Sequence, residues 1–574
     1  MRNIVILGLV FVALLSCNRT DIKTISYRIS PITKDSLSML KVNMSFEADS
    51  GGITKLSFQN EAWGEKDIYN CIKDMQLLNE KGNVTVNKDS GWVIIEHPKE
   101  VRLLDFEYTL KQDRKGLSSK TRYRPIINET YFHIFSHNMF MLPSYLGPNP
   151  DDVLNIELRW EDFPDDYVIH NSFGSQKKYQ LIENIEKEEF HTAIFVGGDF
   201  RTFKNNVKNN EVILATRGKW VSYADKDISN LLKTTIEAQR DFWQDHTQKY
   251  FTVTMLPFFQ ERGSGFGGTG LTNSFATTVS NNKNTSIDQM VYLFNHELMH
   301  NWIGNTIQNE NEEEQYWFSE GFTEYYTFKN IATHKINNLD ANYFVDEVNR
   351  TIRDLFTSPV ASSPNSEITY DNYWSDRHYG KLPYYRGAVY AFILDLKIQK
   401  DSNGKHSLDN IMQDIFKSSI DQNQKVNSAF FRKVVNKYLK EDISSFHKTH
   451  IIDGELIELD KMFNQFGLEY IPDTDVFDLG FKENSETYKV LAVDSTSNAY
   501  KAGLREGDQI VWRSIYYGRV DKQVDLNIIR NKDEKIDISY LPVKRALIPQ
   551  LKRGIHNRDR LFNPNDDDKV HFLE

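Results

Sequence analysis

Hydrophobic and polar residues alternate along much of the first 217 residues. The alternation is clearest at residues 40–46 and 154–160, where every second side chain is apolar. A period of two predicts β-strands with one buried and one solvated face. Turn-forming segments such as 49–52 and 147–150 separate the runs. The pattern therefore predicts a β-rich N-terminal domain over residues 22–218.

The period of the hydrophobic pattern changes after Asp225. Leu232, Ile236 and Trp243 recur at helical spacing, and helical patterns then dominate from Ser286 to about residue 465. Ser286 is followed three residues later by glutamine, the arrangement of a capping box at a helix start. We expect a second domain over residues 219–470, mostly helical after residue 286.

Short strand-like runs return near residue 475, and they predict a third, small domain over residues 472–548. The remaining segment, 549–574, is a charged tail. Past residue 552 it includes three consecutive aspartates at 566–568, and we expect that part to be loose. A chain of 574 residues is too long for one hydrophobic core. The expected fold class is therefore α+β with several domains.

The pattern at the N-terminus predicts an export signal. Residues 4–15 form an apolar run too short to span a bilayer, and the run ends at Leu14-Leu15-Ser16-Cys17, which resembles a bacterial lipobox. The resemblance implies a lipoprotein signal peptide over residues 1–17 and lipidation of Cys17. The alternative is an ordinary signal peptide that contains a cysteine. The lipobox implies an exported protein of the bacterial cell envelope, periplasmic or on the outer surface, that meets the membrane through its lipid anchor only.

Composition and charge narrow the choice of partners. Hydrophobic residues make up 40% of the chain and charged residues 26%, as in ordinary folded proteins. The formal net charge is −11, and no cluster of basic residues stands out. Nucleic acid is therefore not an expected partner, because phosphate binding needs a basic surface. Cys71 is the only other cysteine, so lipidation of Cys17 would exclude an intramolecular disulfide.

A candidate metal site lies in the predicted helix after Ser286. His296 and His300 are four residues apart and share one helical face, with Glu297 between them. Catalytic zinc usually has three protein ligands and one open position, so a third ligand must come from elsewhere. Glu320 on a following helix is the best candidate, and Glu324, one turn later, is placed to accept a hydrogen bond from a ligand histidine. We expect one Zn²⁺ per chain. The five-residue pattern His-Glu-x-x-His also occurs by chance in proteins that are not enzymes. The flanking residues decide between a chance occurrence and a metal site.

The flanking residues resemble the gluzincin metallopeptidases. The segment 296–305, His-Glu-Leu-Met-His-Asn-Trp-Ile-Gly-Asn, followed by Ser-Glu-Gly-Phe at 319–322, shares features with the aminopeptidase N family. The gap between His300 and Glu320 is one residue longer than in that family, and the extra residue falls in an acidic segment to which we assign no ligand role. The resemblance implies a thermolysin-like, largely helical catalytic domain that hydrolyses peptide bonds, with Glu297 as general base on a metal-activated water.

A second segment narrows the resemblance. Residues 382–388, Leu-Pro-Tyr-Tyr-Arg-Gly-Ala, are similar to the tyrosine segment of the same clan, and Tyr-Arg-Gly is closest to the glycyl aminopeptidase family. That family also combines a β-rich N-terminal domain with a PDZ domain. The resemblance gives Tyr384 the role of the tyrosine that stabilises the transition state. The alternative is that Tyr384 and its neighbour are ordinary aromatic core residues.

The glycine-rich segment departs from the aminopeptidase N pattern. Gly268, Thr269, Gly270 and Leu271 could bind a peptide backbone by edge pairing. Thr272, however, stands where the family has the glutamate that holds the free amine of the substrate. Whether the enzyme trims N-termini or cuts internally is therefore open at this stage.

The small C-terminal domain resembles a PDZ domain. The similarity lies in residues 498–510, Asn-Ala-Tyr-Lys-Ala-Gly-Leu-Arg-Glu-Gly-Asp-Gln-Ile, and in Leu479, Gly480 and Phe481, which resemble the carboxylate-binding loop. This implies a C-terminal peptide as a further ligand. The alternative is a small β-domain that serves stability alone.

Three functions fit the sequence. The leading one is a lipid-anchored zinc metallopeptidase of the glycyl aminopeptidase type that cleaves peptide or protein substrates outside the cytoplasm. The second, of another class, is a non-catalytic envelope scaffold that binds peptides through its PDZ domain. The third is a zinc hydrolase with a non-peptide substrate, which would use the same metal ligands.

Overall fold

The computed structural model describes residues 22–34, 37–78, 82–114, 123–144 and 153–562. The predicted signal peptide and the lipidation site Cys17 lie outside these ranges, as do residues 563–574. Within the described ranges, no helix combines the length and the apolar character needed to cross a bilayer. The chain divides into two compact units, Met1–Ser229 with Gln248–Thr285, and Asn230–Thr247 with Ser286–Glu574.

The first unit is built from β-strands, which confirms the β-rich N-terminal domain. Beside a short helix, α1 (Lys187–His191), its strands are β1 (Thr24–Lys34), β2 (Leu37–Glu47), β3 (Ile53–Ser57), β4 (Ile72–Leu77), β5 (Asn83–Asn87), β6 (Trp92–Glu96), β7 (Leu103–Lys111), β8 (Ile126–Ile127), β9 (Tyr131–Phe135), β10 (Leu142–Pro143), β11 (Val153–Trp160), β12 (Val168–Asn171), β13 (Gly174–Ser175), β14 (Tyr179–Glu186), β15 (Ile194–Gly198), β16 (Arg201–Val207), β17 (Asn210–Thr216), β18 (Tyr250–Phe258), β19 (Phe266–Leu271) and β20 (Ser274–Ser280).

The main sheet of this unit has the strand order β14-β11-β1-β2-β7-β4. Its strands bury every second side chain, as Ile25, Tyr27 and Ile29 do in β1, because successive residues of a strand point to opposite faces. The buried face packs against apolar residues of the neighbouring strands and forms one continuous core. The alternation of apolar and polar residues in the sequence thus results from burial of one face of this sheet.

A second sheet, of order β16-β17-β18-β20-β19, crosses the predicted domain boundary at residues 218 and 219. Strand β17 pairs in parallel with β18, which joins residues 211–216 to 250–255. All five strands belong to the first compact unit. The difference from the predicted boundary arises because a parallel pairing between distant segments leaves no mark on the local hydrophobic period.

Four of the buried histidines in the first unit have strongly lowered pKa values. Burial lowers the pKa of His133 and His137 to about 4, and that of His170 and His191 to about 3. Each of them is less than a tenth exposed. These imidazoles are therefore neutral in the folded protein at any pH near neutrality.

We expect the first unit to be labile to mild acid. The unfolded chain binds protons at these histidines below pH 6.5, whereas the folded chain does not. Their contribution is complete above that pH and is lost as the pH falls towards the folded values. Between pH 6.5 and 5.5 the unfolded histidines pass from half to nearly full protonation, so each removes about 1 kcal/mol and the four together roughly 4 kcal/mol. Calorimetry should show a lower Tm at pH 5.5. The double variant His137→Gln/His191→Gln should reduce the dependence of Tm on pH. His334→Gln, at an exposed position, is the control and should leave that dependence unchanged. If Tm falls equally with pH in the wild type and in both variants, the account is wrong.

The second unit is mainly helical after residue 286, as predicted. Its helices are α2 (Asp225–Trp243), which begins in the first unit, α3 (Ile287–Met299), α4 (Glu312–Ser319), α5 (Gly321–Thr333), α6 (Ala341–Thr357), α7 (Tyr370–Ser375), α8 (Arg377–Asp401), α9 (Leu408–Gln422), α10 (Ser428–Val435), α11 (Ser444–His447) and α12 (Leu459–Phe466). Helix α5 packs between α3, α6 and α8 in a large apolar core. The Ser286 hydroxyl accepts from Gln289 N and the Gln289 side chain accepts from Ser286 N, which confirms the capping box.

A small β-domain follows the helices. It contains β21 (Tyr470–Ile471), β22 (Thr474–Phe477), β23 (Phe481–Glu483), β24 (Val490–Val493), a short helix α13 (Asn498–Lys501), β25 (Gln509–Ser514), β26 (Val524–Arg530), β27 (Glu534–Tyr540), β28 (Val543–Ala546), and then β29 (Gln550–Leu551) and α14 (Ile555–Phe562). Strands β23 to β27, together with α13, enclose a separate apolar core.

The chain enters and leaves this domain at one point. Strand β21 pairs with β29, and β22 pairs with β28, so the two connections run side by side. The Asn349 side chain of α6 exchanges two hydrogen bonds with the backbone of Leu551, at 2.7 and 2.9 Å. Helix α14 then packs on α6 and buries Leu561. The expectation of a loose tail is therefore wrong for residues 553–562, because two apolar positions within a charged segment are enough to dock a helix.

Candidate metal centre

Helix α3 delivers the two histidines with a fixed orientation. His296 lies in the last turn of α3. His300 is the first residue after the helix and still has helical backbone angles. The His300 Nδ1–H donates to the carbonyl of Ile303 at 3.0 Å, which turns Nε2 the other way. His296 is held between the rings of Tyr292 and Tyr384, each with its centroid 5.7 Å away and nearly parallel. Both imidazoles are thus oriented by groups other than the ion that they could bind.

Glu320 reaches these histidines from the junction of α4 and α5. Its Oε2 atom lies 3.5 Å from His296 Nε2 and 3.6 Å from His300 Nε2. Two ligands of one tetrahedral zinc ion, each about 2.0–2.2 Å from it, lie roughly 3.4 Å apart. The three atoms therefore have the spacing of ligands that share one ion, and the predicted convergence of His296, His300 and Glu320 is observed.

The chemistry of this cluster fits zinc. Glu320 Oε2 is buried and has no hydrogen-bond partner among the described residues, although a buried carboxylate oxygen normally has one. A cation at this point would satisfy it. Two imidazole nitrogens and one carboxylate oxygen form the donor set of a catalytic zinc site with an open fourth position.

Glu324 supports His296 from the opposite side. Its Oε2 lies 3.1 Å from His296 Nδ1 and accepts a hydrogen bond of 2.6 Å from the Tyr292 hydroxyl. Arg350 of α6 approaches the other oxygen of Glu324 at 3.4 Å. Glu324 lies where the sequence predicts it, whereas the sequence gives no indication that Tyr292 and Arg350 belong to this site. A carboxylate beside Nδ1 favours the tautomer of His296 that presents Nε2 to a metal.

The electrostatics of the cluster favour a cation. Burial alone would lower the pKa of His296, but the carboxylates of Glu320 and Glu324 outweigh burial and raise that pKa to about 10. Burial alone would raise the pKa of Glu320, but His296 and His300 lower it to about 2. The carboxylates thus attract positive charge strongly, either as protons on imidazole or as a metal ion that replaces them.

The other two predicted catalytic residues lie next to this cluster. Tyr384 of α8 stacks on His296, and Lys381 Nζ lies 3.9 Å from the centroid of the Tyr384 ring. Burial raises the pKa of Glu297, and the neighbouring His296, His300 and Lys381 oppose part of that rise. Burial and the Glu320 carboxylate raise the pKa of Tyr384 far above its ordinary value, so its hydroxyl keeps a proton to donate.

Two glycines bring helices α5 and α8 into backbone contact. A Cβ atom on Gly387 would lie 2.0 Å from the carbonyl oxygen of Trp317 and 2.7 Å from Gly321 Cα. A Cβ on Gly321 would likewise lie 2.3 Å from Gly387 Cα. Gly321 follows Glu320 and Gly387 is three residues after Tyr384, so this crossing sets the distance between the metal ligand and the tyrosine.

Tyr373 is a further residue of the centre that the sequence did not indicate. Its hydroxyl donates to Glu320 Oε1 at 3.1 Å and lies 3.3 Å from the Tyr384 hydroxyl. It comes from the short helix α7, outside every motif that resembles a known family. Only the three-dimensional structure brings it to the site.

The remaining predicted site residues lie elsewhere in the chain. Gly268, Thr269, Gly270 and Leu271 form β19, the edge strand of a sheet in the first unit. A Cβ on Gly268 would lie 2.3 Å from the ring of Phe275, which gives this glycine a packing reason of its own. Leu479, Gly480 and Phe481 form the loop that leads into β23 of the small β-domain.

Comparison with known proteins identifies the helical region. Residues 238–450 match the peptidase family M1 domain. The fold is similar to that of an aminopeptidase N family protein from Idiomarina loihiensis, with a TM-score of 0.68 and 18% identity over 93% of this chain and 99% of that chain. An M1 zinc metallopeptidase from Deinococcus radiodurans matches with a TM-score of 0.44 and 12% identity, over 76% of this chain and 95% of that chain. No curated protein sequence matches this chain significantly.

The matched segment contains every residue of the cluster described above, from His296 to Tyr384. The order of a β-rich region followed by a helical one agrees with the aminopeptidase N-like fold of the structural match. The chain therefore carries a peptidase family M1 domain, and it is a zinc metallopeptidase that uses one zinc ion.

Proposed function

We propose that this chain is a peptidase of the glycyl aminopeptidase type whose zinc is held by His296, His300 and Glu320. The observation that carries the proposal is the meeting of two Nε2 atoms and one orphaned carboxylate oxygen at 3.5 and 3.6 Å. Bound zinc supplies Lewis acidity: it polarises the scissile carbonyl and lowers the pKa of a water molecule towards neutrality. The chain itself supplies the proton transfers and the hydrogen bonds.

Glu297 acts as the general base in this proposal. It is buried beside His296 and His300 but is not one of the three converging ligands, so its carboxylate is free to take a proton. It removes a proton from the attacking water and then delivers that proton to the amine that leaves. Burial raises its pKa, which makes it a stronger base than an exposed glutamate.

Tyr384 stabilises the oxyanion in the same proposal. Its hydroxyl is protonated and lies next to Glu320, and its ring contacts His296 and Lys381. As the carbonyl carbon becomes tetrahedral, negative charge develops on its oxygen, and the hydroxyl donates a hydrogen bond to it. A preorganised donor of this kind typically contributes about 3 kcal/mol to catalysis.

Strand β19 is the proposed binding segment for the peptide backbone. It is an edge strand, and an extended peptide can pair with an exposed sheet edge. We propose that the enzyme removes N-terminal residues, in keeping with the aminopeptidase N-like fold, although Thr272 offers no charge to the substrate amine.

A peptide library read by mass spectrometry tests the proposed activity. We expect free N-terminal residues to be released, with the activity lost in a chelator and restored by zinc. N-acetylated copies of the same peptides serve as the matched control and should resist cleavage. Internal cleavage of the acetylated peptides would assign an endopeptidase instead, and no cleavage of any peptide would favour a hydrolase with a non-peptide substrate.

The non-catalytic scaffold is not favoured. A protein that had lost its activity would not be expected to retain the ligand cluster together with Glu324, Tyr292 and Arg350, which orient His296 from behind. Those outer contacts serve no evident purpose unless His296 binds a metal.

For the small β-domain we propose a PDZ-like fold with a structural or docking role. The Gly480 N–H, which a bound carboxylate would need, already donates to Asp478 Oδ1 at 2.9 Å. The negative charge of Asp478 would also repel a carboxylate. Capture of a C-terminal peptide by residues 479–481 therefore requires this contact to break. Calorimetric titration with peptides that end in a carboxylate or in an amide tests this proposal. Tighter binding of the peptide with the free carboxylate would contradict a purely structural or docking role.

The localisation is also a proposal. We infer that the protein is exported and anchored in the cell envelope by a lipid on Cys17, as the Leu-Leu-Ser-Cys motif at 14–17 implies. Mass spectrometry of the mature N-terminal peptide would show cysteine carrying acyl chains. An unmodified N-terminus beginning elsewhere would contradict the anchor.

A further inference from the structure

Tyr373 touches two residues of the active centre with one hydroxyl group. The hydroxyl donates to Glu320 Oε1 at 3.1 Å, on the oxygen that does not face the histidines, and it lies 3.3 Å from the hydroxyl of Tyr384. Tyr373 is only 9% exposed, so water does not easily replace either contact. This residue therefore links the metal ligand to the proposed oxyanion donor.

One arrangement of donors and acceptors satisfies both contacts of the Tyr373 hydroxyl. An ionised carboxylate only accepts hydrogen bonds, so the single proton of the Tyr373 hydroxyl points to Glu320. The Tyr373 oxygen then accepts from the Tyr384 hydroxyl. The Tyr384 hydroxyl is thus held between the Tyr373 oxygen and the Glu320 carboxylate, next to the metal ligand.

The scaffold around Tyr373 fixes its ring without using the hydroxyl. Its ring stacks on that of Tyr316 with centroids 4.1 Å apart and an angle of 12°. Thr369 and Asn372 form a capping box at the start of α7. A Cβ on Gly380 of α8 would lie 2.5 Å from the Tyr373 carbonyl oxygen, so the two helices touch there. Removal of the hydroxyl alone should leave the fold intact.

We propose that Tyr373 is a positioning residue for the peptidase reaction, which fixes Glu320 in its ligand geometry and holds the Tyr384 hydroxyl in place for the oxyanion. The second half of this role rests on the proposed function of Tyr384. The first half depends only on the metal site.

The variant Tyr373→Phe tests the first half. It keeps the stacked ring and loses the hydrogen bond to Glu320. Loss of an outer hydrogen bond to a metal ligand typically weakens metal binding about 10- to 100-fold. We expect such a loss in zinc affinity, measured by competition with a chromogenic chelator, and an unchanged Tm of the metal-free protein. Wild-type zinc affinity would overturn this half of the proposal.

A double-mutant cycle at saturating zinc tests the second half. Tyr373→Phe should lower kcat about 10-fold or more with KM changed less than about threefold, because a misplaced oxyanion donor weakens the transition state. In a Tyr384→Phe background the same change should cost less than about threefold, since its target is already absent. If the two losses multiply, Tyr373 does not act through Tyr384.

Tyr379→Phe is the matched control. Its hydroxyl also donates to a carboxylate, that of Glu367, at 3.2 Å, but outside the metal cluster. We expect wild-type kcat and zinc affinity for this variant. The proposed role of Tyr384 and the proposed role of Tyr373 can fail separately. Full turnover in Tyr384→Phe would refute the role of Tyr384. The zinc affinity of Tyr373→Phe would still decide whether Tyr373 positions Glu320.

Discussion

Replacing Glu297 with glutamine is expected to lower kcat at least 1,000-fold while the protein still binds one zinc ion. A general base contributes about 10²- to 10⁴-fold, and here one carboxylate serves both proton transfers. Zinc should be retained because the three converging ligand atoms belong to other residues, His296, His300 and Glu320. Peptidase assays and elemental analysis of the same preparation measure both quantities.

Glu313→Gln is the matched control for this change. Glu313 lies in the exposed first turn of α4, close to Glu320 in sequence, and contacts no ligand of the cluster. It should keep full activity. Wild-type turnover in Glu297→Gln would remove this residue from the mechanism, and loss of zinc in that variant would make it a ligand instead of a base.

The variant Gly387→Ala should destabilise the second unit and damage the metal centre together. The new Cβ would lie 2.0 Å from a backbone oxygen of α4, and backbone atoms cannot turn away as a side chain can. Overpacking costs about 1–3 kcal/mol and more when the backbone must move. Because Glu320 and Tyr384 flank this crossing, we expect a lower Tm and a zinc affinity reduced at least 10-fold.

Gly51→Ala controls for the substitution itself. Gly51 lies in an exposed turn where a Cβ would meet only the side chain of Asp49, at 3.0 Å. Its zinc affinity should equal that of the wild type, and its Tm should change little. Wild-type stability and zinc binding in Gly387→Ala would show that the helices can separate without moving the ligands.

The sequence predicted those parts of the site that depend on local spacing. His296 and His300 are one helical turn apart, and the capping box at Ser286 fixes where that helix begins, so both follow from a period of 3.6 residues. Glu320 was predicted as the third ligand on a following helix and Glu324 one turn after it, and the structure brings both to His296. The β-rich first domain followed from alternation, because the strands of its main sheet are buried on one face.

The parts that sequence did not predict depend on tertiary packing. Tyr373 carries no motif, and only the packing of α7 against α8 brings it to Glu320. Arg350 reaches Glu324 from a helix whose sequence shows only an apolar stripe. The close crossing of α5 and α8 could have been suspected, since glycine occurs directly after Glu320 and again three residues after Tyr384. The pairing of β17 with β18 joins segments separated by α2, and no local pattern records such a contact.

The central claim is that His296, His300 and Glu320 share one zinc ion, and anomalous diffraction at the zinc edge tests it most directly. Crystals of the zinc-loaded protein should give one strong anomalous peak per chain, about 2.0–2.2 Å from the two Nε2 atoms and from the Glu320 carboxylate. A peak elsewhere, or a peak at the histidines with the Glu320 side chain turned away and no other acid in its place, would contradict the account.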